Sequence, residues 1–244
     1  MSNWPDGYTR HVFRSLDSTL SEAARIAPSL TGSAWILARE QTAARGRRGR
    51  AWSTPDGNFA STLIMKRNGS LGDAALRSFV ASLALWETFV ALTGRADAFA
   101  LKWPNDVLLN GGKVAGILLE TLGQHLVIGI GVNLAHAPRP DQVEPGAVKP
   151  VSLAGETGAR ISPEDFLDEL AVQYDRVEMQ FRTYGFAPVR TAWLARAARI
   201  GETVTARTTR DETTGVFEDV DRSGNLVLAT PNGRVSIAAA DVYF

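Results

Sequence analysis

Four strand-like segments follow one another with no helix between them, at residues 98–103, 107–109, 114–121 and 124–132, and this run constrains the fold more than any other feature. Such short connections join antiparallel neighbours, because a parallel pair needs a crossover of roughly a dozen residues or more. Asn110-Gly111-Gly112 supplies one turn and Gly123 another, both from residue types that accept positive φ cheaply. Just upstream, residues 73–93 form the clearest helical pattern, with Leu76, Phe79, Val80, Leu83, Trp86, Phe89, Val90 and Thr93 on one broad face and Gly94 as the stop. It is a core helix.

Similar reasoning organises the rest. Residues 11–16 read as a strand, 17–19 as a polar turn, and Leu20, Ala23, Ala24 and Ala27 as the buried side of a helix that ends at Pro28. Strands are predicted at 33–40 and 59–66, joined by a basic, glycine-punctuated loop at 41–58. A loop of that length in a compact domain is usually functional. Residues 135–150 hold four prolines and read as a surface crossing. Ser162-Pro163-Glu164-Asp165 then opens a helix that ends near Tyr184, and 188–198 reads as a shorter one. The last 45 residues change to short alternating segments separated by Asp211-Glu212, Ser223-Gly224-Asn225 and Pro231-Asn232-Gly233, the texture of a small antiparallel barrel. The expected class is therefore α+β, with a large domain at 1–198 and a small one at 199–244.

With 26 basic and 26 acidic residues, the chain has no global field for a polyanion or an anionic membrane, so anion binding must be local. The absence of cysteine excludes disulfides, thiolate catalysis and cysteine-based zinc sites, and cytoplasm is the default compartment. No run of about 18 uninterrupted apolar residues and no export signal is present, so no membrane role is expected.

Local anion binding has an obvious seat. Ala44-Arg45-Gly46-Arg47-Arg48-Gly49-Arg50 places four guanidinium groups within six residues on a flexible frame. Glycines permit close backbone approach and arginines offer planar forks that match phosphate or carboxylate oxygens. The alternatives are a solvated basic loop or an RNA contact, though interleaved aromatics are missing. In Lys102-Trp103-Pro104-Asn105-Asp106, a cation lies beside hard oxygen donors, a set suited to magnesium and phosphates or to a plain strand-turn-strand. Lys113 stands at the mouth of an apolar strand, placed for electrophilic stabilisation or simply at an exposed corner. Gly129-Ile130-Gly131-Val132-Asn133 puts two glycines in a strand, a pattern of close approach. Ser18-Thr19 could bind a ligand, or Thr19 with Glu22 could form a capping box. Phosphate-loop, serine-elbow and zinc-helix motifs are absent, and His11, His125 and His136 lack metal-ligand spacing.

Taken in order, Asp17-Ser18-Thr19, Gln41 with the arginine loop, residues 102–106, residues 113–120 and residues 129–133 resemble the biotin protein ligase family. The resemblance spans residues 10–133, although Ala44 stands where many members have glycine. It implies a mixed-sheet catalytic domain like that of class II aminoacyl-tRNA synthetases, followed by an SH3-like barrel. It implies an ATP-dependent ligase that forms biotinyl-5'-AMP and transfers biotin to a lysine of a biotin carboxyl carrier protein. By resemblance, Lys113 and Arg47 are catalytic, and Ser18, Thr19, Leu20, Gln41, Arg45, Gly46, Arg47, Lys113 and Gly116 bind biotin. Arg48, Arg50, Trp52, Lys102, Asn105, Asp106 and Asn133 are the ATP and magnesium candidates, with Asn105 and Asp106 nearest the metal. Only about ten residues precede the first strand, too few for the helix-turn-helix that lets some members repress transcription, so no DNA binding is expected. Members commonly pair through the sheet, making a homodimer one expected state. The competing readings are a lipoate ligase on the same fold, an RNA-binding protein and a non-catalytic biotin sensor.

Overall fold

The computed structural model describes residues 4–244 except 51, 140, 141, 145 and 209, with the backbone alone at Arg47. Elements run β1 (Tyr8–Leu16), α1 (Thr19–Ile26), β2 (Ser33–Gln41), β3 (Phe59–Lys66), α2 (Leu71–Ala75), α3 (Arg77–Thr93), β4 (Phe99–Lys102), β5 (Asp106–Leu109), β6 (Gly112–Leu122) and β7 (His125–Val132). They continue through α4 (Leu153–Thr157), α5 (Pro163–Tyr184), α6 (Phe186–Leu194), β8 (Thr203–Arg207), β9 (Glu212–Val220), β10 (Leu226–Thr230), β11 (Gly233–Ile237) and β12 (Asp241–Tyr243).

The meander forms as expected, β4 to β7 pairing antiparallel in sequence order. Asn110 and Gly111, with φ of 49° and 79°, make one of its tight turns, and Gly123, at 58°, opens another. These strands belong to a seven-stranded sheet ordered β1-β2-β3-β7-β6-β5-β4, mixed because β1 runs parallel to β2. Period-two alternation then splits the apolar residues between two faces. Trp35, Leu37, Leu63 and Ile128 join the large core, whereas Ile36, Ile64 and Val127 turn to the other face and meet Leu20, Ala23 and Ala27 of α1. On the first face α3 packs against α5, and Phe89 meets Phe99 and Phe166 there. Such fully buried side chains each contribute about 1.5–3 kcal/mol. Among the described residues α1 is the helix on the second face, where it packs on β2, β3 and β7 and leaves part of that face without a helix over it.

Three expectations need adjusting. The helix expected at residues 73–93 starts earlier and is divided at Leu76: Ser70 caps α2 and Asp73 completes a capping box as its third residue. By composition Leu71–Thr93 could cross a membrane, with mean hydropathy 1.4, but most of it is buried in this core. The shorter helix of residues 188–198 lies at Phe186–Leu194 instead. Finally, the carboxyl-terminal strands form one five-stranded antiparallel sheet ordered β11-β10-β9-β8-β12, and among the described residues no pairing joins β11 to β12 to close a barrel.

Val204, Phe217, Leu226, Leu228 and Val242 of that small sheet pack into the same core cluster as the larger one. Trp103 donates its indole N–H to the Gly224 carbonyl at 3.0 Å. Gly224, at φ 82°, lies so close to Phe79 that a Cβ would come within 2.9 Å of its ring. Arg190 also pairs with Asp219 across the junction.

Candidate active site

The uncovered face holds a cleft of about 600 Å³, within the range of small-ligand sites. Its floor exists because three positions lack side chains. Gly116 and Gly131 are register partners on β6 and β7, and Gly129 faces the same way two residues earlier. A Cβ on Gly131 would stand 2.5 Å from the Trp52 ring, one on Gly116 would meet Trp52 at 3.3 Å and Lys113 at 3.4 Å, and one on Gly129 would meet Leu20 at 3.1 Å. The indole, the lysine stem and the α1 leucine thus lie directly on backbone.

At the α1 end, buried polar side chains form a chain of hydrogen bonds. Ser18 caps α1, its hydroxyl accepting from the Leu20 N–H at 3.2 Å, so the cap is Ser18 and not the Thr19–Glu22 box. Thr19 is thereby free for another task. Its backbone N–H and hydroxyl both donate to Gln41 Oε1, at 2.8 and 3.1 Å, while Thr62 donates to the Thr19 hydroxyl at 2.8 Å. Gln41 Nε2 donates to Thr54 at 3.1 Å. Asp17 accepts from the Ser18 N–H at 2.7 Å and from Arg25, and those bonds, Arg25's foremost, hold its carboxyl down to about 2.

The opposite end is cationic. Lys113 Nζ lies 2.8 Å from Asp106 Oδ1 and 5.6 Å from the Trp52 ring centroid, while Lys102 Nζ is 4.0 Å from the other Asp106 oxygen. Arg45, from the loop, lies toward the α1 end instead, donating to Ser21 of α1 at 3.2 Å and pairing with Glu120 at 3.1 Å. The loop closes on itself through Gly46 N–H to Arg50 O at 2.7 Å and Trp52 N–H to Ala44 O at 3.1 Å. Arg48 and Arg50 turn away from the floor and both reach Asp241 of β12 at 2.8 Å, and Arg50 also meets Glu144 at 2.8 Å. Burial works against the Arg50 charge, but the hydrogen bond and charge of Asp241, with Glu144, leave it more firmly protonated than usual. The Arg47 side chain lies outside the described residues.

Two other predicted residues act mainly as ties. Asn105 donates to the Ile117 carbonyl at 2.6 Å and accepts the Ile117 N–H on its own carbonyl at 2.9 Å, clamping the β4–β5 turn to β6. Asn133, buried, donates to the Val151 carbonyl at 3.1 Å. Neither Asn105 nor Asp106 makes a metal cage among the described residues: the Asp106 carboxylate sits between two ammonium groups, a poor home for a dication that favours several oxygen ligands. Among the described residues no three His, Cys, Asp or Glu side chains converge for a metal.

Sequence reading missed Thr54, Thr62, Glu120, Glu144 and Asp241. Thr62, a fully buried hydroxyl inside an apolar strand, carried a readable signal. Asp241 carried none, because its partners lie about 190 residues away in the chain.

Set beside known proteins, residues 12–133 match the biotin/lipoate A/B protein ligase family and residues 200–244 match the biotin protein ligase C terminal domain. A biotin--[acetyl-CoA-carboxylase] ligase of Paracoccus denitrificans is 57% identical over 93% of this chain and 97% of its own length. A bifunctional ligase/repressor of Bacillus subtilis is 30% identical over 85% of this chain, which covers 65% of that protein. In fold, the biotin protein ligase of Aquifex aeolicus, solved with biotin and ATP, superposes with a TM-score of 0.84 at 22% identity, over 96% of this chain and 97% of that one. The chain belongs to the biotin protein ligase family.

Proposed function

We propose that this protein joins biotin to ATP as biotinyl-5'-AMP and transfers the biotin to a lysine of a carboxylase's biotin carboxyl carrier domain. The observation that carries the reading is the order of groups along one cleft: a buried amide–hydroxyl corner, an apolar glycine floor, then a cluster of cations. A ureido ring asks for fixed donors and acceptors, a valeryl chain for apolar walls, and a carboxylate meeting a triphosphate for positive charge. Thr19 and Gln41 answer the first, with Ser18 beside them; Leu20 and the floor beside Gly116 answer the second; Lys113 and Lys102 answer the third, with Arg45 reaching in from the loop on the α1 side.

In the first step a biotin carboxylate oxygen attacks the α-phosphorus, the new O–P bond forms, and the bond to pyrophosphate breaks. Bringing two anions together is the main obstacle, and fixed cations aimed at the developing charge lower it. Lys113 is the group for the carboxyl–phosphate junction, while Arg47 and Gly46 hold the product from the loop side. In the second step an acceptor amine attacks the acyl carbon, AMP leaves and the amine's proton passes to solvent. Magnesium enters this reading only on the triphosphate, and no step is assigned to it. The cytoplasm, a two-domain division at 198/199 with an SH3-like second unit, a synthetase-like first unit, and pairing of two copies along β1, an edge of the larger sheet, belong to the same proposal. No DNA or membrane partner is part of it.

Lipoate is the nearest rival, because one family model covers both ligases. The second matched unit and the Gln41 corner favour biotin. Supplying biotin or lipoate with ATP and following pyrophosphate separates them: release with biotin alone is expected, and release with lipoate alone moves the protein to the sister activity. Weak nucleic-acid binding that ignores biotin would support the RNA reading instead.

A further inference from the structure

The arginine loop divides its labour. Arg45 pairs with Glu120 of the larger sheet, whereas Arg48 and Arg50 converge on a single oxygen, Asp241 Oδ2, each at 2.8 Å, at the rim of the cleft that Arg50 and Asp241 also line. That carboxylate side chain is only 13% exposed, and it stands on β12, the strand paired to β8 at the border of the small sheet. Arg48 sits at φ 57°, a left-handed conformation uncommon outside glycine, at the tip of the loop. The tip is therefore held by a strand of a different sheet.

We propose that Asp241 is a positioning and selectivity residue, a latch by which the carboxyl-terminal sheet keeps the arginine loop shut over the reaction intermediate. The inference rests on the ligase reading and adds, to the hold that Glu120 of the larger sheet has on Arg45, a second hold on the loop's tip. Loop closure through Gly46 and Arg50 shapes a hairpin, but both of those bonds lie within the loop and cannot hold it down. Asp241 can, because opening must break two charge-assisted hydrogen bonds to a carboxylate that is itself largely buried. The reason to hold it is chemical. Biotinyl-adenylate is a mixed anhydride, and once in solvent its acyl carbon is open to any lysine: a C–N bond forms, the acyl C–O bond to phosphate breaks, AMP departs and the amine loses a proton to water. Selectivity for one acceptor lysine then depends on how slowly the loop lifts, and Asp241 sets that rate.

The test uses the loop's own chemistry. Trypsin cuts after arginine, so the ligand-free protein reports loop opening through cleavage at residues 45–50. Asp241→Asn keeps shape and removes charge, and Asp241→Glu restores charge. Arg48→Gln breaks the latch from the loop side without touching the small sheet, and so covers the case in which Asp241→Asn fails to fold. Cleavage should quicken on the order of tenfold in Asp241→Asn, less in Arg48→Gln, and return toward wild type in Asp241→Glu. With biotin and ATP present, the same order should hold for escape of biotinyl-adenylate and for labelling of a bystander protein such as serum albumin, with melting temperatures unchanged. Wild-type cleavage rates in both Asp241→Asn and Arg48→Gln overturn the latch. Faster cleavage with unchanged adenylate escape overturns its role in selectivity. A wild-type protein whose loop is protected but which makes no adenylate defeats the ligase reading and leaves the latch standing.

Discussion

The floor of the cleft and the loop above it solve the same problem by opposite means. The floor is set by steric exclusion: Gly116, Gly129 and Gly131 leave so little room that Trp52, Lys113 and Leu20 rest against backbone. The loop is set by charge, with Arg45 on Glu120 and with Arg48 and Arg50 on Asp241. A steric fit has one solution and is insensitive to salt, while an ionic grip can be released and remade. Chemistry that needs fixed atoms belongs on the first, and admission and retention of ligands belong on the second.

The largest effect should come from the floor. Lys113→Ala is expected to lower adenylate formation on the order of 100- to 1,000-fold, as loss of a fixed charge at a reacting centre does, while leaving the melting temperature nearly unchanged. Wild-type turnover in this variant would remove Lys113 from the site. Gly131→Ala comes next: the new methyl would stand 2.5 Å from the indole and must push it aside, and a misplacement of about 1 Å costs about 100-fold in pyrophosphate release. Unaltered rates there would mean that the indole does not rest on the floor during turnover.

Loop changes should be milder and of another kind. Arg47→Gly is expected to raise adenylate escape about tenfold with adenylate formation largely retained, measured by rapid filtration. A fall in formation without added escape would place Arg47 in the chemistry and blur the contrast. Raising sodium chloride to about 1 M, where screening reaches about 3 Å, should speed tryptic cleavage of the loop a few-fold and leave biotin binding at the floor unchanged. Equal salt sensitivity in both assays would contradict the division between steric floor and ionic loop.

The same division explains what could be read from the sequence. Glycines spaced two apart in a strand, an arginine cluster and a lysine at the mouth of an apolar run are local patterns, and Gly129, Gly131, Arg45, Arg50 and Lys113 from them line the cleft. The meander was legible for a similar reason, its turns being coded by Asn110-Gly111 and Gly123. What failed was non-local. That Arg48 and Arg50 serve Asp241, and that Ser18 takes the cap and releases Thr19 to Gln41 and Thr62, depend on neighbours supplied by distant strands. The break at Leu76 was hidden by an apolar pattern that runs on through it, although Ser70 and Asp73 already spelled a capping box.

One measurement bears on the central claim most directly. Purified protein is mixed with biotin, magnesium and α-labelled ATP in a single turnover, and the bound label is identified before and after addition of a biotin carboxyl carrier domain. The account predicts one equivalent of tightly held biotinyl-adenylate that converts, on addition of the carrier, to labelled AMP and a biotinylated carrier lysine. Label that stays as ATP with biotin present would contradict it.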